Sequence, residues 1–359
     1  MQAIAQIAVS VYLPILAATM AGFLLSLVLQ RRTSQTVTNP LQRRIPDLLA
    51  RGLYLFGIPI GVANFIRKAE LNASVWLSPL VAWIAVVVAI TLGVLLLRSS
   101  KRNNSTETKT SYLLLSYLGN TSYLGFPVVL LLEPLGAKYF SSAVLYDILG
   151  TLVAGYGLGV FIAKTANLRA DRRRALSCAS LSEGVSGAGA TPTNADATEG
   201  FRERSGWGIG LEALLEITKN PIFYAFFIGL YLKQFDISET AATLLNGIAW
   251  ASIMLALLVM GMRAQQLGSG GDLRLAIQPV AIKTILVPLI IACALTVIGI
   301  DGPQRLVLVL QAGMPCAFAS LVLAENYDLD LKLTVSSILL SCLVFAVMLP
   351  IWVLMFDTW

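Results

Sequence analysis

The chain has 359 residues, of which 57% are hydrophobic and only 13% are charged. This charged share is about half that of a typical soluble domain, so the composition excludes an ordinary soluble protein and predicts a membrane protein. The sequence contains no histidine, which nearly excludes the usual Cys/His zinc sites and removes Ser-His-Asp and Cys-His catalysis. The net charge of +6 does not indicate nucleic-acid binding, because the basic residues follow a membrane topology.

Apolar stretches long enough to cross a bilayer as helices recur along nearly the whole sequence. Their length and the near absence of period-2 alternation favour helices over a membrane β-barrel. The sequence therefore predicts an all-α polytopic membrane protein with ten transmembrane segments. In chain order, these lie at about 7–29, 48–66, 75–97, 112–132, 141–163, 213–232, 241–262, 276–299, 305–325 and 334–356.

The first segment has the flanks of a retained membrane helix and not of a cleaved signal peptide. No basic leader precedes it, whereas Arg31 and Arg32 follow it as in a stop-transfer sequence. Lys and Arg are concentrated in the odd-numbered connections between segments. The positive-inside rule then predicts cytoplasmic odd connections and both termini outside. We expect a multi-pass protein of the cell membrane, which would be the inner membrane in a bacterium.

The fourth segment contains the stretch GNTSYLGFPVVLLLEP, in which polar and helix-breaking residues interrupt the apolar run. Gly119 and Pro127 disfavour a continuous helix, and Asn120 and Thr121 add polar side chains at the same depth. We predict a broken helix, because its half-helix N-termini would attract an anion and its free carbonyls a cation or polar hydrogens. The alternative is a prolyl kink that only assists packing.

Asp147 lies about two turns into the fifth segment. An acidic residue at such a depth is costly and is a functional hypothesis by default. Its carboxylate could carry a coupling proton, or it could pair structurally with a polar residue of a neighbouring helix. We favour a role in coupling or gating.

A polar stretch rich in Ser, Ala, Gly and Thr separates the ten segments into five and five. Its composition predicts a flexible cytoplasmic linker, with tethering favoured over regulation by phosphorylation. The predicted domains are a first five-helix repeat at 1–165, the linker at 166–210 and a second five-helix repeat at 211–359. Because five is an odd number, the second repeat must be inverted relative to the first.

The ninth segment matches the fourth, since Gly313 and Pro315 interrupt it close to Gln311. Interruptions at corresponding positions of two halves are the best sequence indication of a secondary transporter's binding site. We therefore predict that the broken fourth and ninth helices meet near the bilayer centre.

Three further polar residues in the second half have two interpretations each. Asn246 in the seventh segment either contacts substrate or hydrogen-bonds across helices. Lys283 in the eighth segment either binds an anion or snorkels towards the cytoplasmic surface. Glu325 follows the broken ninth helix and lies either at the surface or at the site.

Short motifs follow one another along both halves of the chain, at 120–121 with 125–127, 220–221, Lys283 with Pro288, and 324–327 with 349–351. Together they resemble the auxin efflux carrier family, which includes bacterial malate/malonate permease-like transporters and relatives of the plant PIN-FORMED exporters. The resemblance implies the crossover fold shared with bile-acid symporters and sodium/proton antiporters, with a panel domain, a transport domain and elevator-like alternating access. It also implies that Asn120 contacts substrate. Family members often have a proline in the seventh segment, and this sequence has none there.

We expect a secondary active transporter, acting as a permease or efflux carrier for a small organic anion such as a carboxylate, coupled to a proton or sodium gradient. The alternative is a channel or ligand-sensing membrane protein on the same fold without a transport cycle. We expect no enzyme activity, no metal site, no bound cofactor and no nucleic-acid partner. The expected partners are the anion and the lipid bilayer, and a homodimer is one assembly that the sequence allows. The candidate residues are Gly119, Asn120, Thr121, Pro127, Asn246, Gln311, Gly313 and Pro315 for substrate, and Asp147, Lys283 and Glu325 for coupling or gating.

Overall fold

The computed structural model describes most of the chain, and most of the described residues lie in helices. Seven of its helices are long and apolar enough to cross a membrane. The only pairing of β type within this part is a single isolated bridge. The described part is therefore that of a polytopic all-α membrane protein. The described residues are 8–31, 40–69, 71–99, 104–133, 135–166, 220–266 and 273–356.

The helices of the first half are α1 Leu13–Arg31, α2 Pro40–Gly52, α3 Ile58–Lys68, α4 Leu77–Ser99, α5 Thr106–Tyr117, α6 Phe126–Leu131 and α7 Gly136–Tyr146. Those of the second half are α8 Pro221–Leu232, α9 Glu239–Gln266, α10 Leu273–Ala281, α11 Val287–Val297, α12 Gly302–Ala312, α13 Phe318–Asn326 and α14 Leu331–Phe356. After α7 the chain stays helical to residue 166.

Several of these helices contain π-helical turns, in which the hydrogen bonds skip one additional residue. One such turn, Leu53–Gly57, joins α2 to α3, and another, Ile282–Leu286, joins α10 to α11. A third, Thr121–Gly125, leads into α6. Two more, Asp147–Leu152 and Ala154–Gly159, follow α7. Short π-helical turns of this kind occur frequently at functional sites.

The predicted interruptions of the fourth and ninth segments are present, because each segment is divided into two short helices. In the ninth segment the interruption contains Gly313 and Pro315, as predicted. In the fourth segment, by contrast, α5 ends at Tyr117, and Pro127 lies in the first turn of α6. A proline is tolerated there, since its missing N–H is one that has no partner within the helix. Pro127 is therefore not the point of interruption.

The remaining segments follow the prediction as far as the structure describes them. Seven predicted segments coincide with the seven continuous spans. The sixth is described only from residue 220 onwards. Nearly all of the predicted linker, 166–210, lies outside the described residues.

The helices pack in two groups. The panel group consists of α1, α2, α3, α8 and α9, in which α1 lies along α9 while α3 contacts both α8 and α9. The crossover group consists of α4 to α7 and α10 to α14; α10 packs on α14, α11 on α12, and α12 on α7. Each group draws helices from both halves of the sequence.

Two glycines allow α1 and α9 to pack backbone against backbone in the panel group. A Cβ atom added to Gly22 would lie 1.9 Å from the carbonyl oxygen of Leu258. One added to Gly261 would lie 1.9 Å from the carbonyl oxygen of Thr19. Small residues of this kind are typical of close helix contacts in membranes, where van der Waals packing drives association.

Gly261→Ala should therefore destabilise the panel group, because neither backbone can move away without separating the two helices. Overpacking of this kind costs about 1–3 kcal/mol. Gly247→Ala is a matched control on the same helix, since a Cβ at Gly247 meets no atom within 4 Å. Thermal unfolding of the purified variants in detergent measures the difference. Equal midpoints for the two variants would contradict the close packing.

Candidate functional site

The two interrupted segments cross each other and form an antiparallel bridge. The backbone N–H of Asn120 donates to the carbonyl of Pro315 at 2.7 Å, and that of Ala317 donates to the carbonyl of Leu118 at 3.0 Å. These bonds satisfy backbone groups that the interruptions release from their helices and that lipid could not satisfy. The structure thus brings the two interruptions together, as the sequence predicts.

Asp147 lies at the start of the π-helical turn that follows α7, and its side chain reaches the turn after the first interruption. Its side chain is buried and accepts hydrogen bonds from the hydroxyl of Thr121 and, at 2.5 Å, from that of Ser122. A carboxylate beside the N-terminus of a helical segment also interacts favourably with the aligned peptide dipoles. The structural pairing considered from the sequence is therefore present, while a role in coupling stays a prediction.

Lys283 lies beside the end of the half-helix α12. Its side chain is only 4% exposed, and its Nζ donates to the carbonyl of Ala312 at 2.7 Å. Gly119 makes room for it, because a Cβ at that position would lie 2.8 Å from the lysine Nζ. The ammonium group neither reaches the surface by snorkelling nor lines the cavity described next.

A cavity of about 840 Å³ lies against this crossing. Gly119, Asn120, Thr121 and Asp147, all predicted site residues, line it together. Asn120 is 6% exposed, and among the described residues the one acceptor of its side-chain amide is the sulfur of Met260 in α9, at 3.6 Å. Since a thioether sulfur is a weak acceptor, this amide keeps most of its capacity to donate to a ligand.

The start of the half-helix α13 also lines the cavity, through Ala317, Phe318 and Ala319. The first N–H groups of a helix have no partners within the helix. Ala317 at the N-cap position provides no side-chain cap. Of the N–H groups at this N-terminus, that of Ala317 bonds the Leu118 carbonyl and that of Ser320 bonds the Ala317 carbonyl. The N–H groups of Phe318 and Ala319 are therefore the ones that can donate to a ligand, where the helix end also carries a partial positive charge.

The mouth of the cavity carries basic side chains from three helical segments. Arg51 of α2 and Lys164, at the end of the fifth span, line it together with Arg263 of α9. Arg263 also contacts Asp47, with 3.6 Å between the guanidinium nitrogen and the carboxylate oxygen. Basic residues thus outnumber acidic ones at the mouth, where Asp47 and Arg51 are exposed. An entrance of this charge attracts anions.

Four predicted substrate contacts near the crossing do not line this cavity, namely Pro127, Gln311, Gly313 and Pro315. All four are buried. Gly313 packs against the ring of Pro288, and the Gln311 amide lies against Gly125. The reason is geometric, because the cavity contacts the second interruption only from Ala317 onwards.

Two further candidates also lie outside the cavity. Asn246 accepts a hydrogen bond from Lys68 Nζ at 3.0 Å and one from the Asn64 amide at 3.4 Å. It therefore hydrogen-bonds across helices within the panel group, which is the second of its two interpretations. Glu325 is exposed in the last turn of α13, although the following Asn326 and Tyr327 do line the cavity.

Several lining residues were missed by sequence reasoning. Ser122 is adjacent to two predicted residues, and its position in the polar stretch was a usable signal. Tyr54 and Thr151 lie in π-helical turns that no sequence pattern marks. Asn220 lines the cavity and caps α8, accepting from the N–H of Ile222 at 3.0 Å. Within the described ranges, no group of three Cys, Asp or Glu side chains could hold a metal ion.

Comparison with known proteins agrees with this architecture. The family model described as "Membrane transport protein" matches residues 49–353, which include both interruptions and all of the cavity lining except Asp47. The chain belongs to this membrane transport protein family. The resemblance to the auxin efflux carrier family, noted from the motifs, is thereby confirmed.

One curated relative is an uncharacterized transporter of Methanothermobacter thermautotrophicus. It is 28% identical over 133 residues, which are 37% of this chain and 44% of the relative. The match thus spans less than half of the relative's length. The match is consistent with a transport function for this chain, and the name of the relative does not indicate a substrate.

Thr121→Val should destabilise the protein, because it removes a hydroxyl of nearly the same shape and leaves one oxygen of a buried carboxylate without its donor. The expected cost is about 1–3 kcal/mol. Thr91→Val is the matched control, since the exposed Thr91 hydroxyl donates only to the carbonyl of Val87 in its own helix, at 2.8 Å. Thermal unfolding in detergent should separate the two variants. If Thr121→Val unfolds at the control's midpoint, the pairing with Asp147 contributes nothing.

Proposed function

We propose that the protein is a secondary active transporter of a small organic anion such as a carboxylate. The observation that carries the proposal is the cavity that ends at the crossing of two interrupted helices. Family membership supports transport, and the donors in the cavity support an anionic substrate. The basic mouth would concentrate anions at the entrance.

The proposed substrate site lies between Asn120 and the start of α13. The N–H groups of Phe318 and Ala319 in the first turn of α13 would donate to a carboxylate, and the helix dipole would favour its negative charge. The Asn120 amide can donate two further hydrogen bonds. Because Asn120 approaches Met260 of the panel group, a substrate bound there would lie between the two groups of helices.

We further propose that the ten segments form two inverted five-helix repeats. The panel group takes the first two segments of each half, and the crossover group takes the last three. In both halves the fourth segment is the interrupted one, and the two interruptions pair in an antiparallel sense. An inverted repeat accounts for each of these regularities.

Alternating access would then occur by movement of the crossover group against the panel group. The small residues Gly57 and Gly61 of the panel group face Phe126 and Phe140 of the crossover group across a narrow apolar gap. Such a surface offers few polar bonds to break during sliding. The basic mouth lies at the helix ends that the positive-inside rule assigns to the cytoplasm, so this would be the inward-facing state.

We propose the proton as the coupling ion, acting through Asp147. An ionised carboxylate that lines the cavity repels an entering anion, whereas a protonated one does not. Binding of a proton to Asp147 and binding of the anion would therefore favour each other. Both oxygens of Asp147 already have hydroxyl partners, so either protonation state can be held in place.

Asn120→Ala should weaken substrate binding by about 1–3 kcal/mol, the cost of leaving a buried polar partner unpaired. Asn120→Asp should be worse, because it places a negative charge against an anionic substrate. Asn246→Ala is the matched control and should bind like the parent, since Asn246 lies outside the cavity. Binding is measured by thermal shift with a carboxylate selected from a panel of organic acids. Unchanged binding by both Asn120 variants would remove the site from this part of the cavity.

Asp147→Asn should flatten the pH dependence of uptake while exchange of internal for external substrate stays measurable. In the parent, anion binding should strengthen as the pH falls, because protonation removes the repelling charge. The measurement is counterflow in proteoliposomes with a carboxylate that stays ionised over the range tested. An unchanged profile would exclude Asp147 from coupling. Flux that is neither saturable nor subject to counterflow would instead favour a channel on the same fold.

A further inference from the structure

The end of α12 points its last carbonyls into the interior of the crossover group. Eleven aligned peptide units, from Gly302 to Ala312, end there and leave a partial negative charge at the helix C-terminus. The backbone N–H of Gly313 bonds the carbonyls of Val309 and Leu310. The Ala312 carbonyl is instead paired by the ammonium group of Lys283, at 2.7 Å.

We propose that Lys283 is a tethered cation that neutralises this helix end in the place where a bound alkali cation would otherwise be required. The inference rests on the proposed transport function and adds to it: the crossing itself would need no sodium ion. A backbone carbonyl at a half-helix C-terminus is the kind of oxygen ligand that coordinates sodium in transporters with interrupted helices. Here the ammonium group of Lys283 already bonds that oxygen, the carbonyl of Ala312.

The surroundings of Lys283 support a role for its charge at this helix end. Lys283 takes no part in the ion pairs that join Arg263 to Asp47 and Arg305 to Asp301, and within the described part of the chain its ammonium donates to the Ala312 carbonyl. The lysine is therefore not held there by a carboxylate. Its position also depends on Gly119, where a Cβ would lie 2.8 Å from both Cε and Nζ. The crossing is built to admit this side chain.

The two buried charged residues at the crossing, Asp147 and Lys283, lie at helix ends of opposite polarity. Asp147 faces the N-terminal start of the turn Thr121–Gly125, and Lys283 faces the C-terminal end of α12. Each charge has the sign that stabilises its helix end. Of the two helix starts at the crossing, the one without a charged partner is that of α13, which lies in the cavity. The start of α13 is therefore available to an anion, whereas Lys283 already occupies the C-terminal end of α12, where a cation would bind.

The test measures thermal unfolding of the purified protein in sodium chloride against choline chloride at equal ionic strength. The parent should unfold at the same midpoint in both salts. Lys283→Ala should lower the midpoint by about 2–4 °C in choline, and sodium should restore part of this loss in a saturable manner. Lys283→Arg, which keeps the charge, should show no sodium response.

Lys233→Ala is the matched control, because the exposed Lys233 also donates to a backbone carbonyl, that of Ala69 at 2.5 Å, but lies outside the crossing. It should show no sodium response. If Lys283→Ala does not fold, Gly119→Ala provides a second test, since its added methyl group should displace the ammonium and create the same sodium response.

Two results would overturn the proposal. A saturable stabilisation of the parent by sodium would show that the crossing takes a metal ion in addition to Lys283. Variants destabilised equally in sodium and choline would show that Lys283 acts only by packing. Neither measurement uses substrate, so a failure here is distinguishable from an absence of carboxylate counterflow, which would overturn the proposed function.

Discussion

The bridge between the two interrupted segments is the constraint on which the rest of the structure depends. Extended backbone inside a membrane protein is tolerated only where other parts of the protein satisfy its polar groups. Here each interruption supplies the partner of the other, through Asn120 with Pro315 and Ala317 with Leu118. Because each half supplies backbone partners for the interruption of the other, the crossing ties the two halves into one packed unit.

This crossing also determines the electrostatics of the cavity. Four helix ends converge on it, and three have partners: Asp147 at the turn before α6, Lys283 at α12, and Cys316, whose sulfur donates to the carbonyl of Leu115, at α5. The start of α13 has no side-chain cap. Selectivity for an anion would thus follow because the helix end without a side-chain partner is an N-terminus, that of α13. The basic residues at the mouth would reinforce this selectivity.

Sequence reasoning located Asn120, Thr121 and Asp147 because polar side chains inside an apolar segment have few explanations. It misplaced the first interruption at Pro127, because a proline in the first turn of a helix and one at a break look alike in a sequence. It missed Arg51, since a basic residue at a helix end is already explained by topology. Which residues of the second interruption face the cavity depends on the pairing of the two extended stretches, and no local pattern encodes that register.

The π-helical turn Ala154–Gly159 has a consequence for how such a cavity can evolve. A turn of this type holds one more residue than an α-helical turn of the same length. Loss of a single residue there would convert it to an α-helical turn and leave the helix that follows, including Lys164, in nearly the same orientation. A one-codon deletion could therefore reshape the cavity wall beside Gly155 while the basic entrance stays in place. The length of this segment, as much as its side chains, is thus a variable on which substrate preference can diverge among relatives.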